Sequence, residues 1–175
     1  MTANNIHIRE ADSHDISLLS HLIREAYRNV AERFNLTSEN CPKHPSNCQN
    51  EWIENDFKRG VVYYILERDA TPVGCAAIEK AEHDHCYLER LAVTPPYRNH
   101  GIGKALVDHV LAQARALEMK SVGIGIIAEQ SDLKSWYLKI GFVEKEIKQF
   151  PHLPFRVAFM NYTLTNGNDT SSQVN

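Results

Sequence analysis

Residues 88–116, LERLAVTPPYRNHGIGKALVDHVLAQARA, constrain this chain more than any other stretch. An apolar run passes through two prolines into a basic turn with two glycines, and a helical pattern begins at once. The turn Arg98-Asn99-His100-Gly101-Ile102-Gly103 therefore stands at a helix start, where several N–H groups have no intrahelical acceptor and the helix dipole is positive. That predicts an anion site, most simply for a diphosphate. Arg98, Lys104 and protonated His100 add side-chain charge. Two familiar phosphate loops do not fit. A Walker loop needs glycine where Arg98 stands and Ser or Thr where Ala105 stands, and a dinucleotide fingerprint needs a third glycine at Leu106.

Arg-x-x-Gly-x-Gly, preceded by Leu-Ala-Val and a Pro-x-Tyr turn, resembles the signature of the GNAT N-acetyltransferase superfamily. A second half follows in order, as Tyr137-Leu138-Lys139-Ile140-Gly141-Phe142 is similar to that family's Tyr-x-x-x-Gly-Phe. The resemblance runs over residues 6–164 and is sharpest over 88–142. It implies that the turn holds the pyrophosphate of acetyl-CoA as cosubstrate, and that the pantetheine arm pairs like an added strand with Leu91, Ala92 and Val93. The Val93 N–H is then the donor to the thioester carbonyl. Many relatives place an Asn about seven residues before the Tyr; Gln130 occupies that place here and Ser131 follows, so these two are the candidates for the polar pantetheine contact.

At 175 residues and 43% hydrophobic, the chain can bury one core. A formal net charge of −3 argues against a general nucleic-acid binder. No apolar run approaches the ~20 residues of a membrane span, and the first 25 residues lack a signal-peptide core. Four cysteines without a secretory signal suggest reduced thiols and a cytoplasmic protein.

In order, residues 6–9 read as a strand, Asp12 or Ser13 as an N-cap, and Ile16 to Phe34 as an amphipathic helix of about five turns whose apolar stripe, Tyr27 included, packs in the core. Residues 35–50 form a polar loop that the resemblance places over the acceptor site. The loop carries Cys41, His44 and Cys48, three possible soft-metal ligands without a local fourth, or a Cys41–Cys48 disulfide; the plainest reading is a polar loop with incidental thiols. A short helix over 51–59 ends at Gly60. Residues 61–67, 73–79 and 86–93 make three antiparallel strands joined by short turns. After the helix at 101–117, whose apolar face carries Ile102, Leu106, Val110, Ala114 and Leu117, residues 121–127 form a strand parallel to the one before that helix, and the site should lie where these two strands part. Ser131 or Asp132 caps a helix reaching Ile140, and residues 142–148 and 156–164 close the sheet. His83 and His85 belong to an exposed turn, and His109 faces solvent. These readings give one α/β domain over residues 1–165, a mixed, mainly antiparallel sheet of six or seven strands flanked by helices, and a disordered tail at 166–175.

Acetyl transfer needs an unprotonated amine. An alkylamine with a pKa near 10.4 costs roughly 4 to 5 kcal/mol to deprotonate at neutral pH. Glu89, four residues before Val93 and on its side by the period of two, is the candidate base, with Tyr87 as a relay and Glu79 as runner-up. Glu89 as a plain strand carboxylate or partner of Arg90 is the alternative. The resemblance makes Tyr137 the general acid for the departing thiolate; the alternative is packing alone. His44 is the histidine kept for the acceptor site. The resulting expectation is acetyl-CoA-dependent N-acetylation of a small-molecule or peptide amine by direct attack in a ternary complex, without membrane or nucleic-acid partners and with a homodimer possible. The residues leave open a non-catalytic acyl-CoA-binding regulator, a metal-binding protein built on the cysteine loop, and another acyl donor or an oxygen acceptor.

Overall fold

A computed structural model describes residues 5–164. The expected domain boundary at 165 and the tail at 166–175 lie outside the described residues. Seven strands form one sheet in the order β1-β2-β3-β4-β5-β7-β6. They are β1 (Ile6–Glu10), β2 (Val62–Arg68), β3 (Thr71–Lys80), β4 (His85–Val93), β5 (Ser121–Ile127), β6 (Val143–Gln149) and β7 (Arg156–Thr163). Four helices accompany them: α1 (Ile16–Arg33), α2 (Asn50–Lys58), α3 (Ile102–Ala116) and α4 (Ser131–Ile140). The fold is the mixed, mainly antiparallel α/β arrangement expected.

Local chemistry accounts for most boundaries. Asp12 and Asp15 form a reciprocal capping box at the turn leading into α1. Asp69 and Ala70, with φ of 50° and 63°, make the two-residue left-handed turn that suits a β2–β3 hairpin. Gly141, with φ of 123°, closes α4, where a side chain would be strained. Its start differs from expectation: Gln130 is the N-cap and makes no side-chain cap bond, so neither Ser131 nor Asp132 caps it.

The sheet separates two apolar layers. One joins α3 and α4 to Leu66, Val73, Leu88, Val122 and Met160; the other joins α1 and α2 to Tyr63, Ile65, Cys75, Ala77 and Ala92. Three exposure expectations are corrected. His109 is half-buried, its ring edge-on to Tyr64 at 4.5 Å and its Nε2 sealed without a hydrogen-bond partner among the described residues. His85 belongs to β4, half-buried, with Nδ1 2.6 Å from Ser121 Oγ. Leu117, assigned to the apolar face of α3, follows the helix and is exposed.

Strand β4 departs from regularity. Cys75 pairs with Ala92 but Ala77 with Glu89, so Arg90 and Leu91 together face Ala76. This is a bulge, with Arg90 in the left-handed region at φ 51°. It reverses the alternation of side chains. Cys86 and Leu88 before it, and Leu91 and Val93 after it, all join the α3 layer. Glu89, opposite Ala77 of the α1 layer, therefore lies on the other face from Val93, not on its side as the period of two implied.

Gly74 lies where β4 leaves the bulge. A Cβ there would stand 2.7 Å from the Ala92 carbonyl oxygen and 3.1 Å from Leu106 Cδ1. Gly74→Ala is expected to cost about 1 to 3 kcal/mol in denaturant unfolding, because backbone must move to admit it. A change below 0.5 kcal/mol would mean that β3 and β4 are not held this tightly.

Candidate active site

Strands β4 and β5 are parallel and pair over three residues only, His85 with Ser121, Cys86 with Val122 and Tyr87 with Gly123. Beyond these they part. A cavity of about 960 Å³ fills the fork, reaching both faces of the sheet. Its α3 side is bounded by Leu91, Val93, Trp136 and Tyr137, and its α1 side by Tyr27, His44, Glu89, Arg90 and Phe159.

The floor is β4 backbone. Thr94 N–H donates to Val73 O of β3 at 2.9 Å, so by strand alternation the Val93 N–H points the other way, into the fork. Ala92 and Val93 line the cavity, as does the turn with Arg98, Asn99, Gly101, Ile102, Gly103 and Lys104. Gly101, at φ 78°, is the N-cap of α3 and supplies no side chain, and the first helical bond is Ala105 N–H to Gly101 O. The N–H groups of Ile102, Gly103 and Lys104 thus have no intrahelical acceptor and lie at the positive end of the dipole, beside the cavity. No atom lies within 4 Å of a Cβ built on Gly101, whereas one on Gly103 would be 3.4 Å from Trp136. The turn has the donors and the clearance that a diphosphate needs.

Its side chains are used differently from expectation. The Arg98 guanidinium donates through Nε to Val93 O at 3.1 Å and through Nη2 to Ala26 O of α1, tying the turn to the strand and helix behind it. Lys104 pairs with Asp108 at 2.8 Å. His100 and Ser131 are exposed outside the cavity lining, while Gln130 is within it.

Tyr137 is 4% exposed, packed against Trp136 and Phe142 at ring distances of 4.9 and 5.2 Å. Burial first, and then the nearby Tyr27 phenol, push its pKa well above the usual tyrosine range. Its hydroxyl makes no hydrogen bond among the described residues and borders the cavity. Across the fork, burial and a hydrogen bond with Glu79 raise the Glu89 carboxyl to about 7, against the pull of Arg90. Glu79 itself is paired with Arg59 and lies outside the cavity lining. Tyr87, 40% exposed, lines the cavity on the Glu89 side.

The 35–50 loop does approach the site. His44 is buried, edge-on to Tyr27 at 5.8 Å, with Nδ1 2.7 Å from Ser46 Oγ, and burial lowers it to about 4 so that the ring is neutral. Its presumed metal companions diverge. Cys41 packs with Leu36 and Ile127, and Cys48 with the α1–α2 layer. All four cysteines are free, and among the described residues no three His, Cys, Asp or Glu side chains are placed to hold a metal ion. Among the described residues the loop thus brings together neither a metal ligand set nor a disulfide pair.

Two residues of the site escaped the sequence reading. Tyr27, assigned to the core stripe of α1, donates its hydroxyl to Leu91 O at 2.9 Å, and burial raises it to about 12. Arg90 was weighed only as a partner for Glu89. In the stripe, a phenol among aliphatic residues was the available signal; for Arg90 it was the break in alternation.

Comparisons with known proteins agree with this architecture. The sequence profile of the acetyltransferase (GNAT) family matches residues 18–142. An amino-acid acetyltransferase of Neisseria meningitidis serogroup A is 30% identical over 150 residues, covering 83% of this chain and 29% of that protein. The chain spans 22 to 29% of the length of the first such relatives. The PaiA N-acetyltransferase of Thermoplasma acidophilum, solved with coenzyme A, superposes with a TM-score of 0.77 at 18% identity, over 91% of this chain and 99% of that one. The N-acetylglutamate synthase of Neisseria gonorrhoeae, solved with coenzyme A and N-acetyl-glutamate, gives 0.68 at 22% identity over 94% of this chain and 36% of its own. At these identities the two structures bear on the fold. Among the described residues no helix is long and apolar enough to cross a membrane.

Proposed function

This chain belongs to the acetyltransferase (GNAT) family, and on that premise we propose that it transfers the acetyl group of acetyl-CoA to a primary amine by direct attack in a ternary complex. One observation carries the reading: an uncapped helix N-terminus, a carboxyl raised to about 7 and a buried phenol all border the single fork between β4 and β5.

The diphosphate rests on the N–H groups of residues 102–104, and the pantetheine runs along Leu91 to Val93 with Gln130 beside it. Glu89 lies on the α1 face and Tyr137 on the α3 face, so the bulge puts base and acid on opposite sides of the reacting carbon. The amine enters from the α1 side. Glu89 takes its proton, directly or through water, as the N–C bond forms. The Val93 N–H bonds the carbonyl oxygen where negative charge develops. The C–S bond then breaks, and Tyr137 supplies a proton to the thiolate. Tyr27 fixes Leu91 O and, with it, the bulge that aims these groups.

Calorimetric titration of acetyl-CoA tests the donor half. Wild type is expected to bind in the micromolar range or tighter, and dephospho-CoA, which keeps the diphosphate, within tenfold of it. Gly101→Glu places a carboxylate where the anion would sit and is expected to weaken binding at least tenfold. Gly101→Ala, strained by about 1 kcal/mol but uncharged, controls for backbone. No binding by wild type, or an unaffected Gly101→Glu, would remove the turn as the cofactor site.

A further inference from the structure

We infer that the acceptor is a free amino acid with an apolar side chain, its amine at Glu89, its carboxylate on Arg90 and its side chain against the apolar wall of Gly125, Val157 and Phe159. This rests on the acetyl-transfer reading above and adds the chemistry of the acceptor.

Successive residues of a regular strand point to opposite faces, so a neighbouring acid and base do not ordinarily serve one ligand. The bulge changes that. Glu89 stands opposite Ala77 on the α1 face, and Arg90, from its left-handed backbone, reaches Trp52 and Asp56 of α2 on the same face. Both border the cavity. An α-amino acid carries its ammonium and carboxylate on one carbon, and two adjacent side chains of opposite charge on one face offer it one partner of each sign.

Arg90 is also short of partners. Its side chain is 20% exposed, its Nε is 3.4 Å from Asp56 Oδ2, and that Nε is sealed from solvent without a hydrogen bond among the described residues. Asp56 is already engaged, accepting from Tyr63 Oη at 2.5 Å and Arg59 Nη2 at 2.6 Å. A buried guanidinium sharing so occupied a carboxylate retains capacity for a second anion, and a planar fork suits a carboxylate.

The remaining wall is apolar. A Cβ on Gly125 would already touch Val157 Cγ1 at 3.4 Å and Phe159 Cε1 at 3.5 Å, so the strand here presents a carbon-lined surface to the cavity, with Phe155 beside it in the lining. The other charged groups of the lining are committed: Arg98 to two carbonyls, Lys104 to Asp108, and Asp132 to Arg33 at 3.0 Å. Among the described residues of the lining, no unpaired cation is left for a second carboxylate and no unpaired carboxylate for a second ammonium.

The test is release of coenzyme A thiol at saturating acetyl-CoA, with L-leucine, L-methionine and L-phenylalanine against their C-terminal amides, the matching decarboxylated amines, L-glutamate and spermidine. Free apolar amino acids are expected to exceed every other class in kcat/KM by at least 30-fold. Arg90→Gln should reduce that preference below threefold through KM, and Arg90→Lys, which keeps the charge opposite Asp56, should retain part of it. Equal or better turnover of the amides would indicate a peptide N-terminus; that result, a preference for spermidine or glutamate, no turnover of any acceptor, or an Arg90→Gln enzyme with undiminished preference would overturn the inference. The wild-type series decides even if Arg90→Gln fails to fold. Acetyl-CoA binding without the preference sinks this inference alone, whereas no acetyl-CoA binding sinks the reading beneath it.

Discussion

Glu89→Gln is expected to lower kcat/KM for the acceptor by about 10²- to 10³-fold, within the range for loss of a general base, while acetyl-CoA binding stays within threefold. The amide keeps the shape of the carboxyl and its hydrogen bond to Glu79, so a loss of this size is chemical. The pH profile makes the test sharper. The carboxyl, raised to about 7 by burial and by Glu79, accepts a proton only when ionised, so wild-type kcat/KM should rise with pH through about 7 and level above it. The variant should lose that limb. Stability should move the opposite way. A folded-state pKa raised from 4.5 to about 7 contributes stability fully below 4.5, and that contribution is lost as pH rises through about 7. The full interval corresponds to about 3 kcal/mol, and because Glu89 is half-buried and opens on the cavity, solvent screening reduces it to roughly 1 to 2. Urea unfolding should therefore find Glu89→Gln more stable than wild type at pH 8.5 and equal to it at pH 4. An unchanged profile with full activity would exclude Glu89 as the base, and Glu79, committed to Arg59 away from the cavity, would not replace it.

The element order, the glycine turn and the fork between β4 and β5 were legible because each rests on short-range pattern: apolar periodicity, a left-handed residue at a helix end, the length of a crossover. The faces of β4 were not, because one extra residue shifts the phase of everything beyond it. The trace of that shift was present. Leu88 and Leu91 are three apart with Glu89 and Arg90 between them, which a strictly alternating strand would not give. Side-chain destinations were the other failure. Arg98 in a basic turn suggests a phosphate ligand, yet its guanidinium meets the carbonyls of Val93 and Ala26, 5 and 72 residues away. Nothing near Arg98 in sequence identifies Ala26 as a neighbour. The same holds for Tyr27, whose bond to Leu91 spans 64 residues, and for His109, whose partner Tyr64 lies on another element.

Tyr137→Phe is expected to lower kcat by about 10²- to 10³-fold with little change in the KM for acetyl-CoA, and to leave unfolding within 0.5 kcal/mol of wild type. The stability half follows from packing. The ring keeps its contacts with Trp136 and Phe142, and the hydroxyl gives up no hydrogen bond to protein among the described residues. The kinetic half turns on two acidities. Burial holds the phenol protonated throughout the working pH range, which makes it a poor acid toward a thiolate in water, where an ordinary thiol has a pKa near 8.5. The departing thiolate is formed in the same apolar surroundings, however, and desolvation raises its proton affinity as well. What matters is the difference between the two groups, and sharing one environment keeps that difference small. Removing the hydroxyl leaves the thiolate to form against Trp136 and Phe142 without a donor, a penalty that falls on bond breaking and so on kcat. Because burial keeps the Tyr137 phenol protonated between pH 6 and 9, the deficit should be constant across that range, unlike the deficit of Glu89→Gln, which should grow with pH up to about 7. A kcat within threefold of wild type would assign Tyr137 to packing alone and leave protonation of the thiolate to solvent.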